Sequence, residues 1–210
     1  MLTRRTLMSS AAALVVAMGI SAPVFADPDA ALAALQETVL SKGPSGEDPS
    51  PASDVVLTDE ELAQIKEMGA TAAIVLHYGG NDWSRAQLNG LQTQFAAMGI
   101  EVIAVTDAGF KPEKQVSDLE TTMAQSPDII VSIPTDPTAT AAAYRAAHEA
   151  GAKLVFMDNI PAGFVPGTDY VSVVSADNYG NGVAAAHLMA KALGPDGGEI
   201  GLVFHAADFF

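Results

Sequence analysis

From Thr71 onward the hydrophobic positions come in short continuous runs, separated by longer stretches of mixed polarity. The runs are AAIVLH at 72–77, EVIAV at 101–105, DIIVSI at 128–133 and KLVFM at 153–157. Their apolar positions are adjacent rather than alternating. Each predicted strand is therefore covered on both faces, as in a parallel sheet flanked by helices. Between the runs the period changes. Leu88, Leu91, Phe95 and Met98 recur at i, i+3, i+7 and i+10, which lines one face of a helix. Val116, Leu119 and Met123 do the same, and PTATAAAYRAAHEAGA supplies a third, alanine-rich helix able to pack closely on a sheet. Each helix returns the chain for another parallel strand, giving βαβαβαβ over 71–158.

After Asp158 the rhythm pauses. NIPAGFVPGTD has no helical period and reads as a crossing between two lobes. A strand at Tyr170–Val174, a helix at about Tyr179–Leu193 and a strand at Glu199–Phe204 then begin a second lobe, within a segment 159–210. Two strands and one helix bury too little surface to be stable alone, so the expectation is a truncated sequence whose second lobe continues beyond Phe210.

The chain before Thr71 follows a different logic. Arg4-Arg5 precede the apolar run SSAAALVVAMGISA, which is short for a membrane span. Val24-Phe25-Ala26 suits a signal peptidase, so 1–26 reads as an export signal of the twin-arginine or Sec type. The expected location is a bacterial periplasm. Residues 27–70 form a leader. Ala30–Leu40 predicts a short helix, KGPSGEDPSPASD a linker, and TDEELAQIKEMG a helix with a Thr58/Glu61 capping box and a stop at Gly69.

The chain has 210 residues and a formal net charge of -15, which disfavours nucleic acid and anionic membrane as partners. It has no cysteine, which removes disulfides, thiolate catalysis and cysteine metal sites. The four histidines, His77, His148, His187 and His205, lack metal-ligand spacing, although His77 and His205 both end strands. No nucleotide-binding, serine-hydrolase or zinc-protease motif is present. No metal, no cofactor and no catalytic residue is expected.

In open parallel sheets ligands bind at the carboxyl ends of the strands. Those ends carry Tyr78, Asp82, Trp83, Asp107, Phe110, Asp136, Asp158 and Asn159. Carboxylates and amides accept and donate to hydroxyls, while an aromatic ring covers an apolar C–H face. The set suits a small polyhydroxylated ligand. Other roles compete: Asp82 and Asp136 as helix caps, Asp107 as a turn former, Trp83 as cover for a helix turn. Asp158 precedes no obvious helix, so capping explains it poorly.

The export signal, the βα repeat, the polar-aromatic turn YGGNDW, SIPTDPTATAAAYRAAHEAGAKLVFMDN and VSVVSADNYGNGVAAAHLMAKAL together resemble the periplasmic sugar-binding proteins of ABC importers, of the ribose-binding type, over about 71–210. The resemblance implies an α/β fold of two Rossmann-like lobes with parallel sheets joined by a hinge, the second lobe incomplete in this chain. It implies a sugar or polyol ligand, an ABC permease in the inner membrane as partner, and a monomer. Asn81 and Trp83 match the family's sugar-sandwiching turn, and Asp158 its hydroxyl clamp. Asn159 stands where the family often has Arg. Asp177-Asn178 match the opening of the second lobe's first helix, a capping position. His205, Asp208 and Phe209 fall where the second lobe's first ligand loop begins. A sensory receptor for the same ligand class is the alternative, and an enzyme on the same fold a more distant one.

Overall fold

The computed structural model describes residues 27–203. The leader forms α1 (Pro28–Leu35), a single 3-10 turn at Ala52–Val55, and α2 (Asp59–Met68). The α2 start is the capping box read from sequence: Thr58 accepts from the Glu61 amide while the Glu61 carboxylate accepts from the Thr58 amide. Gly69, at φ 61°, ends it in the left-handed conformation that a residue without Cβ adopts freely.

The sheet follows. Its strands are β1 (Thr71–Leu76), β2 (Glu101–Asp107), β3 (Ile129–Ser132), β4 (Lys153–Met157) and β5 (Ser172–Val174), in the order β2-β1-β3-β4-β5 and parallel throughout. The connecting helices are α3 (Asp82–Ala97), α4 (Pro112–Met123) and α5 (Ala141–Glu149); α6 (Asn178–Leu193) follows β5. This is an open, doubly wound α/β sheet. The chain runs outward from β1 to β2, then returns to β3, so its direction of winding reverses between β1 and β3.

The continuous apolar runs are divided by the pleat into two cores. Ala73, Val75, Ile130, Leu154 and Phe156 face α4 and α5, meeting Leu119, Tyr144 and Ala147. Ala72, Ile74, Leu76, Val131 and Met157 face the other way, meeting Leu88, Leu91, Phe95 and Met98 of the α3 segment and Ile65 of α2. The i, i+3, i+7, i+10 face thus packs as its spacing predicts. Inside the first core the Ser132 hydroxyl donates to the Val75 carbonyl at 2.6 Å and pairs with the Tyr144 hydroxyl at 2.6 Å. Both polar groups are satisfied where an orphan would be costly. Burial pushes the Tyr144 phenol pKa well up.

The structure departs from the sequence expectations in four places. The strand expected to open a second lobe, Tyr170–Val174, instead extends the first sheet: Ser172–Val174 pairs with Val155–Met157 of β4. The segment 159–169, expected as a crossing, folds back on the same lobe. Phe164 is 5% exposed and Tyr170 3%, both inside the α4/α5 core. Arg145 of α5 pins this loop, pairing with Asp169 at 3.1 Å and lying 4.6 Å over the Phe164 ring. The Val165 amide, and after it the Arg145 guanidinium, hold the Asp169 carboxyl below its usual range. Residues 199–203 of the expected strand Glu199–Phe204 form no strand. The leader helix is shorter than the expected Ala30–Leu40, ending at Leu35. Among the described residues no helix is long and apolar enough to cross a membrane.

Candidate functional site

The winding reverses between β1 and β3, and in open α/β sheets the carboxyl ends of the strands at such a point are where ligands bind. His77 and Tyr78 leave β1 there, and Asp107 ends β2 beside them. The glycines of Tyr78-Gly79-Gly80 let neighbouring side chains approach the backbone closely. A Cβ on Gly79 would sit 3.0 Å from Asp107 Oδ2, and one on Gly80 would fall 2.3 Å from the Tyr78 hydroxyl. The loop is thin enough for a carboxylate and a phenol ring to lie against its backbone.

Phe110 comes from the β2–α4 turn. Its amide donates to the His77 carbonyl at 2.8 Å, and it holds φ 60°. A bulky residue in the left-handed region is strained, yet its side chain remains 55% exposed and gains little from burial. Strain held without burial points to a role outside folding. The Phe110 ring stacks on Tyr78 with centroids 4.6 Å apart and planes at 15°. His77 meets Phe110 edge-on at 5.0 Å and Trp83 edge-on at 6.0 Å. Trp83, in the first turn of α3, is 49% exposed. The four rings form one aromatic floor at the rim.

His77 sits at its centre. Its Nδ1 is buried and has no hydrogen-bond partner among the described residues. Burial lowers its pKa below the ordinary value; the charges of Asp158 and then Asp107 act in the opposite direction. Asp158 follows β4 at φ 57°, its amide donating to the Val174 carbonyl at 3.0 Å. Ser175 Oγ donates to its Oδ1 at 3.1 Å, and Asn178 Nδ2 donates to Ser175 Oγ at 3.1 Å. Asn159 follows in a tight turn, its amide donating to the Met157 carbonyl at 2.6 Å.

Other candidates have structural work. Asn81, not Asp82, caps α3: its Oδ1 accepts the Ser84 amide at 2.8 Å, so that oxygen is taken and its NH2 remains for a hydroxyl. Asp82 lies in the first helical turn and pairs with Arg85. Asp136 Oδ1 accepts the Thr138 and Ala139 amides at 2.8 and 2.7 Å and so closes the turn before α5; the residue at the cap position of α5 is Thr140, not Asp136 as a cap reading would have it. Asp107 shapes its turn by accepting the Gly109 amide at 2.9 Å. Asp177 caps α6. His205, Asp208 and Phe209 lie outside the described residues.

Phe110 and His77 are more central than their sequence positions suggest. Gln115, fully buried on α4, is a residue that the sequence reading misses. Its Nε2 donates to the Ile133 carbonyl at 2.8 Å, and its Oε1 accepts the Thr135 amide at 2.7 Å and hydroxyl at 2.9 Å. It fixes the turn by which the chain leaves β3. The signal for it is spacing: Gln115 stands beside Val116 and four residues before Leu119, an amide on the apolar side of its helix.

A family model described as "Periplasmic binding protein domain" matches residues 72–209. The chain belongs to the periplasmic binding protein family. No curated protein matches it by sequence. Among solved structures it is similar to a myo-inositol binding protein from Caulobacter bound to myo-inositol, at 27% identity and a TM-score of 0.52, covering 59% of this chain and 41% of that one. It is also similar to an ABC transporter solute binding protein from Agrobacterium vitis bound with α-D-tagatopyranose, at 26% identity and a TM-score of 0.54, over 59% and 44%. An arabinose binding protein from Geobacillus stearothermophilus matches at 28% identity and a TM-score of 0.51, over 59% and 41%. The matched region thus spans about two-fifths of the length of these structures.

Proposed function

We propose that this member of the family is a solute-binding protein that captures a sugar or polyol in the periplasm for an ABC import system. The observation that carries the reading is the aromatic floor at the sheet's carboxyl ends, exposed Trp83 and Phe110 with half-buried Tyr78 stacked on Phe110, and Asp158 at the same rim. Aromatic faces match the C–H face of a pyranose or cyclitol, and the carboxylate accepts its hydroxyls. Solved relatives hold myo-inositol and tagatopyranose, which supports the ligand class. The partner is an inner-membrane permease, and residues 1–26 are the export signal, cleaved after Ala26. Mass spectrometry of exported protein should place the mature terminus at Asp27.

The ligand test is a thermal-shift screen of the full-length protein against D-ribose, L-arabinose, D-tagatose, allitol and myo-inositol. At least one should raise the melting temperature, because a ligand that binds only the folded state stabilises it by mass action. No shift with any of them, alongside a shift with amino acids or peptides, would remove the sugar reading.

A further inference from the structure

The leader makes an unusual contact. α1 is eight residues long and none of its side chains is fully buried. A helix of that length is marginal in water unless something packs against it. That something is α6, along which the leader runs antiparallel. At one end Lys191 pairs with Asp29 at 2.5 Å. At the other, the Asp177 carboxylate accepts the Leu40 amide at 2.9 Å and the Ser41 amide at 2.8 Å, together with the Gly180 amide of its own helix at 2.8 Å. Ser41 Oγ accepts the Tyr179 amide at 3.1 Å. These amides, the Leu40 amide foremost and then that of Gly180, pull the Asp177 carboxyl down to about 2. Among the described residues, α1 is the element that α6 packs against closely.

The same helix terminus reaches the ligand rim. Asn178, next to Asp177, donates to Ser175, and Ser175 donates to Asp158 Oδ1. Asp158 is held in the left-handed region, where its orientation depends on what surrounds it. We propose that the leader segment 27–41 positions Asp158: it fixes the start of α6 through Asp177, so that Asn178 and Ser175 hold one Asp158 oxygen and leave the other for a ligand hydroxyl. Ser175, Asn178 and Asp177 are positioning residues. This inference rests on the reading of Asp158 as a ligand group.

Two variants of the full-length protein test it, a deletion of 27–41 and Asp177→Asn. Asn caps a helix about as well as Asp, but it offers one acceptor oxygen to three amides. It therefore loosens the leader without uncapping α6. In both variants the Asp158 amide should exchange hydrogen at least about tenfold faster, while the core amides of Ile74 and Ile130 keep their wild-type rates. Affinity for whichever of the five screened sugars and polyols the wild type binds should fall about tenfold. Unchanged Asp158 exchange in Asp177→Asn overturns the proposal, whether or not the deletion variant folds. Equal acceleration across the whole sheet also overturns it, since the leader would then only stabilise the lobe. If the wild type binds none of the five but does bind amino acids or peptides, the sugar reading fails, and the exchange rates still decide the positioning claim.

Discussion

Two sets of aromatic residues in the loops and turns around one sheet are treated in opposite ways. The loop between β4 and β5 puts Phe164 and Tyr170 into the α4/α5 core and ties itself down with Arg145–Asp169. The turns after β1 and β2 leave Tyr78, Trp83 and Phe110 at the rim, with Phe110 in a strained backbone conformation. Burial accounts for the first set through the hydrophobic effect, with the Arg145 guanidinium over the Phe164 ring adding to it. It does not explain the second. An aromatic that gains little from burial and sits at the reversal point of an open sheet is available to something outside the fold.

Truncation separates the two sets most directly. Phe164→Ala should destabilise the protein by about 3–5 kcal/mol, the usual range for a buried phenylalanine, as measured by urea unfolding. Trp83→Ala should stay within about 0.5 kcal/mol of wild type. Equal losses at the two positions would mean that the rim aromatics are core residues after all.

Asp158 tests the rim set from the ligand side. Asp158→Asn should weaken binding by about 1.5–3 kcal/mol through the lost charge-assisted hydrogen bond, roughly ten- to hundredfold by calorimetry, with the unliganded melting temperature unchanged. Asn is the suitable substitution because it tolerates φ 57°, whereas Ala there adds about 1–2 kcal/mol of backbone strain.

A smaller effect is expected at Phe110. Phe110→Gly relieves the left-handed strain but frees the unfolded chain, so stability should remain within about 1 kcal/mol of wild type. Loss of its stacking face should weaken ligand binding by about 0.5–1.5 kcal/mol, read by calorimetry.

The smallest effect is one of pH. The folded His77 has a pKa below the ordinary 6.5, burial being the main cause. As the pH falls below 6.5 the unfolded chain takes up this proton first, so the contribution of neutral His77 is full above that value and is lost as the pH drops. Urea midpoints between about pH 8 and pH 5 should fall more in the wild type than in His77→Gln. Identical slopes would show that His77 is not held neutral by its surroundings.

Much of this is legible in the sequence where one segment contains its own answer. KLVFM at 153–157 is β4 to the residue, and the Thr58/Glu61 box starts α2 where its spacing says. Asn81 and Asp82 are harder. Both are good caps, and the path of the chain out of β1 decides that Asn81 accepts the amide. The segment 159–169 has no period at all, and its burial depends on Arg145, contributed by another element.

The strands of the β1–β4 unit, the helices between them and their parallel connection follow from the chain alone, because continuous apolar runs and helical periods are local properties that each segment satisfies by itself. Long-range packing decided the rest. It assigned β5 to the first sheet, since a strand's partner is set by the edge it meets and not by its own residues. It gathered His77, Tyr78, Trp83 and Phe110 into one floor, from turns that follow different strands. It also joined the leader to α6 through Asp177, a contact between residues 137 positions apart that no local pattern records.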